Sequence, residues 1–435
     1  MSDTIFALSS GAGRAGVAVI RVSGPLAGPV AEQISGKSLS PRRAVLSELR
    51  RAKTRDLIDS GLLIWFPAPS SFTGEDVVEF HVHGGRAVVA ALLDSLSEFD
   101  GLRAAGPGEF TRRSFDNGKL DLTCVEGLSD LVSADTELQR RQALRQLSGD
   151  APRAARSWRQ QLIDLQALIE AHLDFPDESE IPIDITREIG GDLQALSLCF
   201  SEALASRGSA EIVRDGAIVL IAGAPNSGKS TLINRIASRE VAIISEIPGT
   251  TRDLLEVTID LRGLPVTFID SAGIREASDE IEKLGIARAR AKAKEAHVVL
   301  WLAPSDAPAA EPDLSHPHLW VVQTKSDLRP VQGEDGSISA LTGEGVGELL
   351  SKLYDALVST KAATEPSLLV SRRQFSSVSA ASDALSRGIE RLRLGQLELV
   401  AEELRLASAY LDEMIGVIRN DDLLDEVFGR FCLGK

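Results

Sequence analysis

Residues 223–230, Gly223-Ala224-Pro225-Asn226-Ser227-Gly228-Lys229-Ser230, fit the pattern G-x-x-x-x-G-K-[ST] at every fixed position. The chemistry this string suits is capture of a polyphosphate. Glycines let consecutive backbone N–H groups turn inward around phosphate oxygens. A helix opening at the end of the string adds partial positive charge. Lys229 is placed to reach the β- and γ-phosphates, and Ser230 to offer a hydroxyl to Mg²⁺. Asn226, Ser227, Gly228, Lys229, Ser230 and Thr231 therefore line the expected phosphate site. The apolar run Ala217–Ala222 before the string reads as a strand, and Ser230–Ser238 after it as a helix. That strand–loop–helix context is what the motif requires.

Later strings say which nucleotide is bound. Asp270-Ser271-Ala272-Gly273 closes the strand-like run Pro265–Ile269. An acid at that strand end can hold Mg²⁺ through water, and the Gly273 amide can sense a γ-phosphate. Thr324-Lys325-Ser326-Asp327 follows the run Leu319–Gln323. A carboxylate at Asp327 can accept two hydrogen bonds, from the N1–H and 2-amino group of guanine. Adenine lacks that donor pair, so GTP is the expected ligand. Ser339-Ala340-Leu341 is placed to close over the base. Such sites usually carry Asn where Thr324 stands; Thr still hydrogen-bonds, so guanine selection should survive. Between the phosphate loop and Asp270 lies Gly249-Thr250-Thr251-Arg252-Asp253, where a Thr typically completes the Mg²⁺ shell once GTP is bound. The position after Gly273 is Ile274, which cannot orient an attacking water as the Gln of Ras does. Another group must do so. The carboxylates between Glu276 and Glu282 are candidates, and Arg252 and Arg275 are the cations that could act as a finger.

These residues need elements to hold them. Residues 216–358 alternate strand and helix, with further strand-like runs at Val257–Leu261 and Val298–Leu302, which indicates a mostly parallel α/β sheet covered on both faces. Residues 1–118 read as an α+β domain, with strands at Thr4–Leu8, Val17–Val22, Gly61–Phe66 and Asp76–Val82 and a helix over Arg86–Glu98. Helical spacing marks Val125–Leu147, Pro152–Leu173, Ile189–Ser206, Leu385–Leu394 and Leu397–Ile418. Neither helical block is large enough to build a core easily alone. The economical partition is an N-terminal domain (1–118), a helical domain split into 119–212 and 365–435, and an α/β domain (213–364) inserted between its parts.

The chain has 435 residues, 43% hydrophobic and 25% charged, which excludes disordered and fibrous classes. Its net charge of −16 makes it a poor indiscriminate binder of nucleic acid. Residues 1–118 are net neutral, so the acidity lies beyond them. Cys124, Cys199 and Cys432 give neither a disulfide framework nor a C-x-x-C pair, which fits a reducing, cytoplasmic setting. No apolar stretch is long enough for a membrane span, and the first residues lack a basic segment followed by an apolar run.

The strings resemble the MnmE (TrmE) family of tRNA uridine-modification GTPases from end to end. The resemblance rests on Arg21-Val22-Ser23-Gly24, Ser71-Phe72-Thr73-Gly74-Glu75-Asp76, His83-Gly84-Gly85, Pro107-Gly108-Glu109-Phe110, Lys119-Leu120-Asp121-Leu122 and Asp174-Phe175-Pro176-Asp177-Glu178. It rests also on the nucleotide strings and the C-x-G-K ending, Cys432-Leu433-Gly434-Lys435. It implies a folate-binding N-terminal domain that dimerises, a split helical domain and an inserted GTPase domain. It implies further a homodimer acting with a flavin-containing, FAD-dependent partner of the MnmG type. Together they would add a carboxymethylaminomethyl-type group at C5 of the tRNA wobble uridine, the one-carbon unit coming from a tetrahydrofolate (5-formyl- or 5,10-methylene-). The family lacks the catalytic Gln and Arg finger and uses K⁺ instead. By that resemblance Asn226, Ser245, Ile247 (through its carbonyl) and Thr250 would be K⁺ ligands. Thr251 would be the Mg²⁺ ligand beside Ser230, and Glu282 the carboxylate that orients water. Arg21, Glu79 and Lys119 match positions around the folate, which Lys435 would also approach. Cys432 is either a chemical participant or a small buried hydrophobe.

Other signals read as structural. Gly11–Gly16 fits G-x-G-x-x-G, but a strand follows it where a dinucleotide site needs a helix, so it is a hairpin-like loop. His81 and His83 share a strand face without an evident third ligand. Arg140, Arg141, Arg145, Arg153, Arg156 and Arg159 read as a solvated face, with phosphate or partner contact as the alternative. A GTP-dependent assembly factor is the competing function class. Such proteins usually append an RNA-binding module, and no KH-like segment is present. A membrane-linked G protein is disfavoured by the missing spans.

Overall fold

The computed structural model describes residues 3–174, 185–240, 242–243, 256–270, 292–306, 316–328, 337–358, 367–417, 421–429, 431 and 434. The chain divides into two compact units, Met1–Ser129 with Leu411–Lys435, and Asp130–Tyr410. The residues of 365–435 are thus shared between the units, the last of them grouping with the N-terminal part.

In the first unit, strand alternation sorts the side chains. Strands β1 (Thr4–Leu8), β2 (Ala15–Ser23), β3 (Val45–Arg50), β4 (Leu57–Phe66), β5 (Val77–Gly84) and β6 (Leu102–Ala104) form one sheet in the order β3-β4-β5-β2-β1-β6. Ile20, Val22, Val78, Phe80 and Val82 enter one core with Ala31 and Ile34 of α1 (Ala27–Ser35) and Leu92 and Leu96 of α2 (Arg86–Ser97). Because the side-chain period is two, Arg21, Glu79 and His81 share the opposite face. Arg21 and Glu79 are directly paired across the antiparallel β2–β5 ladder. The Gly11–Gly16 loop runs straight into β2, the hairpin-like course expected for it.

The Ser71–Asp76 loop is held by a polar cluster. Arg113 of α3 (Glu109–Asp116) donates to Glu75 at 3.0 Å and to the Asp3 carboxylate at 2.7 Å. Ser23 donates to Glu75 at 2.8 Å, and Asn117 and Ser114 donate to the Thr73 and Phe72 carbonyls at 2.7 and 2.8 Å. Burial pushes the Glu109 carboxyl up, but the bonds from Arg103, the Gly106 N–H and Arg113 outweigh it and hold the group below its ordinary value. The C-terminal helix Asp421–Gly429 adds Leu424 and Phe428 to Phe115, Leu122 and Val125. Beyond it the Gly434 carbonyl accepts a 2.8 Å bond from Ser9, at the end of β1. Gly434 sits at φ 93, and a Cβ there would strike the Leu8 carbonyl oxygen.

The expected Val125–Leu147 helix, which begins in the first unit and ends in the second, is interrupted. α4 (Leu122–Val132) ends, and α5 (Glu137–Leu147) starts afresh at a capping box in which Thr136 and Gln139 satisfy each other's backbone N–H. Apolar periodicity runs through such a break; the T-x-x-Q spacing is the signal that marks it. α6 (Asp150–Asp174) and α7 (Ile185–Ala205) pack through Trp158 and Phe200, whose rings cross at 74° with centroids 5.1 Å apart. α8 (Arg207–Asp215) leads into the second sheet.

That sheet runs β12-β11-β7-β10-β9-β8. β7 (Ala217–Gly223), β10 (Leu264–Asp270), β11 (Val298–Pro304) and β12 (Leu319–Thr324) are parallel, while β9 (Glu256–Leu261) and β8 (Ala242–Ile243) add an antiparallel edge. β11 is buried along its whole length, as a central parallel strand covered on both faces should be. α9 (Lys229–Arg239) and Val346–Leu357 cover one face with Leu232, Ile233, Ile236, Leu349, Leu350 and Leu353. β7 is flanked by β10 on one side and β11 on the other, and the chain crosses over β7 in passing from β10 to β11. The crevice at their carboxyl ends is therefore where a ligand is expected.

Candidate nucleotide site

Each strand end at that crevice carries a residue singled out by sequence. β7 ends in the phosphate loop, whose turn needs left-handed backbone at Asn226 (φ 61) and Gly228 (φ 98). A Cβ at Gly223 would meet the Leu302 carbonyl oxygen at 2.7 Å, so glycine is required where the loop leaves the sheet. Gly228 caps α9, and Lys229 follows with its ammonium donating to the Gly223 and Ala224 carbonyls at 2.9 and 2.8 Å. The lysine is thus folded over its own loop, within reach of any phosphate the loop holds. Ser230 donates to the Asp270 carboxylate at 2.7 Å. An exposed hydroxyl in contact with a buried carboxylate forms a hard-oxygen pair suited to Mg²⁺. Thr231 lies in the first turn of α9.

The base end is built from β12 and the segment after it. The Thr324 hydroxyl donates to the Ser227 carbonyl at 2.9 Å. Ser339 donates to Asp327 at 2.6 Å, and its oxygen accepts from the Thr342 N–H at 3.1 Å. The Ala340 carbonyl is held by Arg235 of α9 at 3.0 Å. Lys325, at φ 62, pairs with Asp306 at 2.8 Å, and Ser305 donates to the Lys325 carbonyl at 2.8 Å. Arg235, Ser305 and Asp306 were not marked by sequence. Asp306 is the second residue after β11, so the rule of strand carboxyl ends was the signal that could have found it.

Phosphate loop, Asp270, Thr324, Lys325, Asp327, Ser339 and Ala340 are therefore gathered at one sheet end. Ser245, Ile247, Thr250, Thr251, Gly273 and Glu282 lie outside the described residues, as do Cys432 and Lys435.

In the first unit, Arg21 and Glu79 are joined by a 2.9 Å ion pair. The Arg21 guanidinium lies 5.4 and 5.8 Å from the ring centroids of Phe72 and Phe110. His81 is 3.3 Å from the second Glu79 oxygen. Lys119 instead donates to the Pro69 carbonyl at 3.0 Å, on the loop that carries Phe72. A carboxylate flanked by an arginine and aromatic rings fits a flat, donor-rich heterocycle. His83 pairs with Asp59 at 2.8 Å. Among the basic residues of α5 and α6, Arg140 pairs with Glu137, and Arg145 and Arg153 both pair with Asp150. No group of three or more His, Cys, Asp or Glu side chains suited to a metal ion occurs among the described residues. No described helix is long and apolar enough to cross a membrane.

Comparison with known proteins covers the whole chain. The family described as the MnmE helical domain matches residues 122–432, and the one described as the GTP-binding protein TrmE N-terminus matches residues 4–119. The tRNA modification GTPase MnmE of Bradyrhizobium sp. (strain ORS 278) is 48% identical over 100% of this chain and 99% of its own. The protein of the same name from Rhodopseudomonas palustris (strain BisB5) is 47% identical over 100% and 99%. That of Parvibaculum lavamentivorans is 46% identical over 100% of both chains.

Proposed function

The chain belongs to the MnmE family of tRNA modification GTPases, and we propose that its GTP hydrolysis is K⁺-dependent. We propose further that, with a flavin-containing partner, it takes part in adding a carboxymethylaminomethyl-type group at C5 of the tRNA wobble uridine. The observation that carries the hydrolase reading is the contact of Ser230 with Asp270 beside a phosphate loop and its lysine. In this reading the loop amides and Lys229 hold the β- and γ-phosphates. Ser230 and Thr251 would hold Mg²⁺, with Asp270 acting through water. Asp327 reads the base. Ile274 offers no group for orienting water, so that task falls to Glu282. The K⁺ ligands would be Asn226, Ser245, Ile247 and Thr250. Held there, the cations would supply positive charge to offset what develops on the β–γ bridge, much as a guanidinium does.

Arg21, Glu79 and Lys119 are proposed to hold a tetrahydrofolate, aided by Lys435. Protomers are proposed to pair through the N-terminal domain in the cytoplasm. The exposed Leu46, Leu57 and Leu62 (62%, 55% and 41%) on the edge strand β3 and its neighbour β4 support a self-association surface there.

Replacing KCl by NaCl at equal ionic strength should lower GTP turnover about tenfold or more; equal rates reject the cation role. In a strain lacking its own family member, this chain should restore the wobble modification seen by tRNA nucleoside analysis. Unmodified uridine despite active GTPase would return the protein to the assembly-factor class.

A further inference from the structure

Thr324 stands at the end of β12 where guanine sites usually place asparagine, and it does not face a ligand freely. It is 2% exposed, and its hydroxyl lies 2.9 Å from the Ser227 carbonyl oxygen. A carbonyl only accepts, so the single proton of Thr324 is committed there. What remains on the threonine oxygen is acceptor capacity. Guanine presents its donors, N1–H and the 2-amino group, to Asp327; its O6 and N7 are acceptors. Two acceptors make no hydrogen bond. Asparagine, with two amide protons and a separate carbonyl, could hold Ser227 and still donate to the base.

The bond to Ser227 has a second consequence. A trans, planar peptide points its C=O and N–H in opposite directions. Drawing the Ser227 carbonyl toward β12 therefore turns the Gly228 N–H away from it, toward the phosphate side of the loop. Ser227 is flanked by left-handed Asn226 and Gly228, a turn that persists only when its surroundings fix it. Thr324 supplies that fixation from a residue 97 positions away.

We infer that Thr324 is a positioning residue of the phosphate loop, and that base selection falls on Asp327, aimed by Ser339, with N7 of guanine unread by the Thr324 side chain. The inference rests on GTP being the ligand. It is tested on the full chain by displacement of a fluorescent GDP analogue with GDP, 7-deaza-GDP (which lacks the N7 acceptor) and IDP (which lacks the 2-amino group). The wild-type protein should bind GDP and 7-deaza-GDP within about twofold of each other. T324N should favour GDP over 7-deaza-GDP by roughly three- to tenfold, the scale of one hydrogen bond. T324V, which strands the Ser227 carbonyl, should weaken GDP and IDP by the same factor, about tenfold, leaving their ratio unchanged, and T324S should restore both. Fivefold discrimination against 7-deaza-GDP by the wild type overturns the inference, as does a T324V protein with full GDP affinity or an altered GDP/IDP ratio. Failure of the wild type to bind GDP at all would instead overturn the guanine reading on which it stands.

Discussion

Changing Asp327 to Asn will exchange the preferred base, costing GTP roughly 10²- to 10⁴-fold in affinity while xanthosine triphosphate becomes a substrate. The carboxylate matches two donors on guanine. An asparagine amide would set its own N–H₂ against the guanine 2-amino group, leaving buried donors unpaired. Xanthine carries a carbonyl at that carbon, so the same amide fits it. The substitution should leave the loop in place, because Ser339 donates its bond and an amide oxygen accepts it as a carboxylate oxygen does. GTP and XTP turnover measured side by side checks the exchange. Unaltered GTP binding in D327N would mean that the base is read elsewhere.

The second large effect is expected far from this site in sequence. Gly434→Ala should abolish most tRNA modification, by tenfold or more in nucleoside analysis, while GTP turnover stays within about twofold. Gly434 is bound through its carbonyl to Ser9 and takes a φ that only glycine adopts without strain. An added methyl would collide with the Leu8 carbonyl, so the tail must leave its seat on β1. Cys432 and Lys435 lie within two residues of Gly434 in the chain. Modification that persists in G434A would show that the seating of the tail is not used.

Much of the nucleotide site was legible because its chemistry is local. A phosphate loop needs glycines, a lysine and a hydroxyl within a few residues, so Gly223, Gly228, Lys229 and Ser230 announce themselves together. Asp270 and Asp327 were legible for a related reason: each follows an apolar run long enough to be a strand, and strand ends of a parallel sheet converge. The α5 boundary was hidden, since apolar spacing continued through residues 133–136 and only the Thr136–Gln139 box broke it. β3, α1 and α3 were not placed either, being short elements whose packing, not their pattern, fixes them.

Residue order alone therefore settled that a strand, a glycine-rich turn and a helix would cradle phosphate, and that carboxylates would stand at later strand ends. It could not settle what each polar side chain spends its hydrogen bonds on. That Thr324 braces Ser227, that Arg235 holds Ala340, that Asp306 takes Lys325, and that Gly434 returns to β1 are contacts between residues distant in the chain. A hydroxyl or guanidinium is open to many partners in a sequence, and burial against one particular neighbour removes the choice. Only the folded sheets, with their strand orders fixed, bring that neighbour within 3.0 Å.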